Sequence, residues 1–250
     1  MKAGQERLKL LVAYDGRTLR GWQSQPDGQA VQDRLEAALI KLCGERIVVH
    51  GSGRTDTGVH ALGQIAHIEV PKGKFDARTW LLAINAHLPA EVRVLKVTRA
   101  KPDFHARFSA KGKVYVYRLW VGPALHPLEI GRAWHVPVAL DLAALRAGAK
   151  ILAGTHDFAA FAANRGYPER DTVRTIRSIQ VSGKGPLVSL RFEGTGFLYK
   201  MVRLLTGSLV RVAQGKADPL WLADLLAGKG AAKSNFAAPA DGLYLVKVLY

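Results

Sequence analysis

The chain has 250 residues, enough for one large domain or two small ones that each bury a core. Hydrophobic residues make up 48% of it, no apolar run approaches the length of a bilayer span, and the polar start from Met1 to Lys9 does not read as a signal peptide. We therefore expect a cytoplasmic globular protein with no membrane partner. Lys and Arg number 36 against 20 Asp and Glu, a net charge of +16 spread along the chain rather than packed into a tail, so the folded surface suits a polyanion such as nucleic acid. The single cysteine, Cys43, excludes an internal disulfide and any zinc site of the CxxC kind.

Residues 8–14 read as a strand, with Leu8, Leu10, Val12 and Tyr14 alternating with Lys9, Leu11 and Ala13. A polar loop over 15–29 holds Gly16, Gly21, Trp22, Pro26 and Gly28. A helix follows, with Val31, Leu35, Ala38, Leu39 and Leu42 on one face and Gly44 as its stop; Cys43 falls on its apolar side and reads as an inert core thiol. Residues 46–50 suggest a short strand and 64–70 another. Asp76 suits the cap of a helix carrying Ala77, Trp80, Leu81, Ile84 and Leu88, ended by Pro89, and 92–99 supply a further strand. The order is β-α-β-β-α-β, a ferredoxin-like signature.

The second half offers the same order. Residues 113–120 alternate as a strand, with Tyr115, Tyr117 and Leu119 on one face. The segment 121–139 is irregular and bears prolines, and a helix begins near Asp141 and ends at Gly154. Residues 175–182 and 187–193 read as a hairpin across Ser182-Gly183-Lys184-Gly185. A helix from about Gly196 to Val212 comes next, then a short one with Asp218 as N-cap, Pro219 at its first position and Gly228 past its end, and a strand over 243–249. The expected fold is α+β, two similar β-α-β-β-α-β (RNP-like) halves with their sheets side by side. We place the divide at residue 106, giving 1–106 and 107–250.

Residues 50–68 carry the densest chemistry. Gly51, Gly53 and Gly58 bracket the polar run Arg54-Thr55-Asp56-Thr57 between two strand-like stretches. Glycines let backbone turn sharply or approach another group closely, so such a loop presents its Arg and Asp, or is tied down by them as an ion pair. The string Gly-Arg-Thr-Asp-x-Gly-Val-His resembles the active-site loop of the TruA family of tRNA pseudouridine synthases, with Thr57 where many relatives have Ala. The resemblance extends from Tyr14-Asp15-Gly16 and Gly21-Trp22-Gln23 to Gly242-Leu243-Tyr244-Leu245.

That resemblance implies a pseudouridine synthase fold and a homodimeric isomerase that modifies uridines 38, 39 and 40 of the tRNA anticodon stem-loop without a cofactor or metal. It makes Asp56 the nucleophile, and either attack on C1′ or addition to C6 of the base fits a carboxylate. It makes Arg203, in Met201-Val202-Arg203, the partner of that carboxylate, and Tyr115 the active-site phenol that stacks on the flipped uracil. Tyr117 shares its face and competes for the role. Arg54 is implied to help draw out the target nucleotide. The run from Phe104 to Lys111 resembles a further family motif, and Arg107, Lys111 and Lys113 are candidates for phosphate contact or for a solvated face.

On helical spacing Gly196, Lys200, Arg203, Gly207 and Arg211 form one stripe, whose two glycines favour close approach by something that the sequence does not identify. With no HExxH or His/Cys cluster, His60 and His67 read as structural. The stretch 155–174, with Asn164-Arg165-Gly166-Tyr167, is a loop that reaches toward RNA. Two rival classes share these residues: an RNA-binding protein without catalysis, and a nucleotide-binding enzyme using 51–58 as a phosphate loop. The second is disfavoured because the spacing is neither GxGxxG nor GxxxxGK[ST] and a strand follows it.

Overall fold

The computed structural model of the protein describes residues 4–164, 166, 171–228 and 233–250. The elements are β1 (Gln5–Tyr14), α1 (Val31–Cys43), β2 (His50–Gly51), β3 (His60–Pro71), α2 (Ala77–Ala86), β4 (Val92–Arg99), β5 (Gly112–Val121), β6 (Trp134–Val136), α3 (Leu142–Leu152), β7 (Gly154–Asp157), β8 (Val173–Lys184), β9 (Leu187–Gly194), α4 (Met201–Ala213), α5 (Pro219–Leu226) and β10 (Leu243–Leu249). The protein is α+β, as the sequence predicts. The chain forms two compact units, Met1–Lys111 with Leu245–Tyr250, and Gly112–Tyr244. The sequence-based divide at 106 differs at two places. Lys111 N donates to Leu249 O at 2.8 Å and Tyr250 Oη donates to Ala106 O at 2.7 Å, so residues 107–111 and the last six belong with the first unit.

In the first unit the strands run β4-β1-β3-β10, with β2 also on β3. The β1–β3 and β1–β4 pairs are antiparallel, and Leu8, Leu10 and Val12 bury one face of the central strand. The amphipathic α1 buries Val31, Leu35, Ala38 and Leu39, while α2 buries Trp80 and Ile84 behind a cap in which Asp76 accepts from Thr79 N. Residues 46–50 are not the strand the sequence suggests. Val49 N is taken by the Glu36 side chain, so only His50 and Gly51 pair with β3.

In the second unit the sheet order is β5-β9-β8-β7, with β6 parallel to β5. The hairpin is longer than expected and turns at 185–186 rather than at 182–185. The irregular stretch 121–139 contains β6, and the loop assigned to 155–174 holds most of β7 and the first two residues of β8; Arg165 and Tyr167 lie outside the described residues. α3 starts at an Asp141 cap and packs Leu145, Ala149 and Leu152 inward. α4 begins at Met201, not at Gly196, because Lys200 takes a left-handed conformation (φ 57°) that a right-handed helix cannot include. Among the described residues no helix is long and apolar enough to cross a membrane.

Candidate active site

The loop between β2 and β3 is held on both flanks before Asp56 is reached. Ser52 N donates to Ile65 O at 2.8 Å and Ser52 Oγ donates to Gln64 Oε1 at 2.6 Å. Gln64 Nε2 then donates to Gly53 O at 2.9 Å, so a single buried amide ties the loop's entry to the strand that leaves it. Thr55 is buried, and its Oγ1 lies 2.8 Å from the Tyr14 hydroxyl. Burial raises the Tyr14 phenol above its ordinary pKa and keeps it neutral. Val59 N closes a turn on Asp56 O at 3.1 Å.

The segment after β1 braces the other side. Trp22 N donates to Thr55 O at 3.1 Å. Gly21 has φ +78° and lies so close that a Cβ there would sit 2.5 Å from Thr55 O. No other residue satisfies both the positive φ and that approach. His60 is buried, its Nδ1 accepts from Gly16 N at 3.1 Å and lies 3.4 Å from Asp15 Oδ1, and His67 Nδ1 accepts from Ala106 N at 3.1 Å. Both histidines are thus structural, as their context in the sequence suggests. Asp56 itself is half-buried on this braced turn, whereas Arg54 is exposed and donates Nε to Gln23 Oε1 at 3.1 Å. Arg107 and Lys111 belong to the same unit, exposed on the turn that precedes β5. Cys43 is partly buried, which pushes its thiol above the ordinary value and quietens it.

The second unit carries Lys113, Tyr115 and Arg203. Lys113 is at the start of β5 opposite Gly194, and Tyr115 is opposite Phe192. The Tyr115 ring is 8% exposed and meets Phe197 edge-on, with centroids 5.1 Å apart. Its neighbour Tyr117 is committed elsewhere: its hydroxyl donates to Pro239 O at 2.6 Å, and burial raises its pKa, with the charge of Arg203 pulling the other way. Arg203 on α4 donates Nε to Ala238 O at 2.7 Å, and Ala238 N donates back to Arg203 O at 3.0 Å. This reciprocal pair lays residues 233–239 along α4. There Gly207 admits the backbone of Phe236, a close approach whose partner the glycine stripe left unnamed. Gly196 and Lys200 lie ahead of α4 and are not part of that stripe. The sequence reading missed Gln64 and Thr55 as supports, since a glutamine in a strand carries no periodic signal.

Comparison with known proteins agrees with these motifs. The sequence model of the tRNA pseudouridine synthase family matches residues 10–109 and 149–250. A tRNA pseudouridine synthase A of Akkermansia muciniphila is 47% identical over 251 residues, 98% of this chain and 95% of that protein. The enzyme of the same name from Solidesulfovibrio magneticus is 45% identical over 98% of this chain and 91% of its own, and that of Geobacillus kaustophilus 40% over 98% and 95%. The resemblance read from the Asp56 loop is therefore borne out over nearly the full length. The chain belongs to the tRNA pseudouridine synthase family, a family of isomerases.

Proposed function

We propose that this protein converts uridine to pseudouridine at positions 38, 39 and 40 of the tRNA anticodon stem-loop, with Asp56 as the nucleophile. The observation that carries the reading is the turn at Asp56, a half-buried carboxylate on a loop fastened to β3, to Tyr14 and to Trp22. A site that must hold a reacting group against a substrate needs that kind of support. In the reaction the C1′–N1 glycosidic bond breaks, the base turns, and C1′ joins C5. C5 then gives up its proton and N1 gains one, with no net redox change. Asp56 attacks C1′ or adds to C6, and either way it leaves unchanged at the end of the cycle.

A carboxylate shielded from water keeps its charge only beside a cation, a role that falls to Arg203 by family. Tyr115 is the tyrosine that the family match favours to stack on the uracil and to relay the C5 proton, its oxygen accepting that proton as its own hydroxyl proton passes on toward N1; the Tyr117 hydroxyl is held by Pro239 O. The exposed Arg54 suits extraction of the nucleotide through its planar fork, and Arg107, Lys111 and Lys113 suit phosphates. The same reading includes a cofactor-free homodimer working in the cytoplasm.

The test is tritium release from tRNA labelled at uridine C5, with EDTA and no cofactor added. Release that maps to positions 38–40 and vanishes in Asp56→Ala, with tRNA binding retained, is the expected outcome. Tight tRNA binding without release assigns the protein to RNA binding alone.

A further inference from the structure

Phe108 is 77% exposed, the most exposed large hydrophobic among the described residues, and it stands on a loop of charged neighbours. Water contact over most of an aromatic ring is unfavourable, and a flexible loop would fold such a ring away. This loop is not free to do so. His105 N donates to Ser109 Oγ at 3.0 Å, and Ser109 N donates to His105 O at 2.9 Å. Ala106 is fully buried, its N–H on His67 Nδ1 and its carbonyl under the Tyr250 hydroxyl.

The ring on which Phe108 rests is fixed as well. His105 Nδ1 accepts from Arg107 N at 3.1 Å and Phe108 N at 3.3 Å, which orients the imidazole and leaves Nδ1 unprotonated. Partial burial, with the charges of His50, Arg7 and Arg107, holds its pKa below the ordinary histidine value. The His105 and Phe108 rings lie 4.3 Å apart at 32°; the buried His67 meets His105 edge-on at 4.7 Å, and the exposed His50 lies 5.9 Å from it. Among the described residues no histidine, cysteine or carboxylate group of three or more is placed to hold a metal ion, so this is not a metal site. The Arg107 guanidinium is 5.7 Å from the Phe108 ring centre, and Lys101, Asp103 and Lys111 are exposed on the same stretch of chain.

A rigid, outward aromatic ring backed by a neutral imidazole, with a guanidinium beside it and lysines on the same loop, matches what an unpaired nucleobase needs. The ring stacks on the base while the cations take the flanking phosphates. We propose that Phe108 is a stacking platform for an unpaired base of the tRNA substrate. The proposal rests on the reading that the chain acts on tRNA. His50 connects the platform to β2, the strand that runs into the Asp56 loop, so a base held there sets the register of the RNA on this unit.

Phe108→Ala, Phe108→Leu and Phe108→Trp in the full-length protein test it, with tRNA affinity from filter binding and kcat and KM from tritium release. The expected result is affinity weakened about tenfold, with KM raised alike and kcat within about twofold, in both Ala and Leu variants, because leucine is apolar but has no π face. The Trp variant restores affinity. Its added indole emission, relative to the parent, is quenched by tRNA and by oligouridylate but not by heparin, which has charge without bases. Equal affinity in all variants overturns the proposal, as does RNA binding without quenching. A Phe108→Ala protein whose self-association weakens in the absence of RNA assigns the ring to a contact between copies and overturns it too. Quenching by RNA in a protein that releases no tritium sinks the isomerase reading and keeps the platform; normal release in every variant without quenching does the reverse.

Discussion

Protonating His67 removes the lone pair on Nδ1 that accepts from Ala106 N, and it places a charge among His50, His105 and Arg7, with only Glu69 in favour. Burial first, and then those neighbours, lower its pKa from 6.5 to about 4. Between these two values the unfolded chain takes up a proton that the folded chain refuses. The first unit therefore loses stability as pH falls through that window, on the order of 3 kcal/mol once below it, and nothing changes above pH 6.5. Urea unfolding at pH 7.5 and 4.5 measures the loss, and His67→Gln, which keeps an acceptor but no proton site, reduces it, leaving the part carried by His105. The two tyrosines of β5 separate in the same residue-level way. Tyr117→Phe strands Pro239 O and costs about 1 kcal/mol of stability with turnover preserved. Tyr115→Phe removes the oxygen through which the C5 proton passes in the proposed reaction and lowers kcat by roughly a hundredfold. Equal kinetics for the two variants would remove Tyr115 from the reaction.

At the scale of elements, the Asp56 turn depends on the segment that follows β1. Gly21→Ala forces a Cβ onto Thr55 O in a left-handed conformation, at a cost of roughly 1–3 kcal/mol. Because Thr55 O also accepts from Trp22 N, relief of the clash moves Thr55 and with it Asp56. The expected outcome is a lower kcat with tRNA affinity unchanged, read from tritium release and filter binding together. Most elements were legible because their signals are local: the 92–99 and 243–249 strands, α1 with its Gly44 stop, and the Asp76, Asp141 and Asp218 caps stand where pattern and capping put them. The failures have one source. The residues 46–50 lost their ladder to the Glu36 side chain, and α4 lost its first turn to the backbone of Lys200. Neither a side chain reaching in from another element nor a single left-handed residue leaves a mark on hydrophobic periodicity.

For the whole molecule, a net charge of +16 makes tRNA affinity fall steeply with salt, since each neutralised phosphate releases a counterion. Filter binding across 50–200 mM salt should lose roughly a thousandfold in affinity if about six phosphates are held; a flat response would contradict phosphate contacts by Arg107, Lys111 and Lys113. The amino-acid sequence by itself determined the α+β class, the order of the longer strands and helices and the Asp56 motif that marks the family, because periodicity, caps and short motifs are written in consecutive residues. The tertiary structure alone decided which phenol is spent on Pro239, which segment Gly207 admits, that the last six residues join the first unit, and that Phe108 is held outward. Each of those outcomes turns on a close approach or hydrogen bond between residues far apart along the chain, as Tyr117 and Pro239 are by 122 positions, and such a contact is set by packing rather than by local pattern.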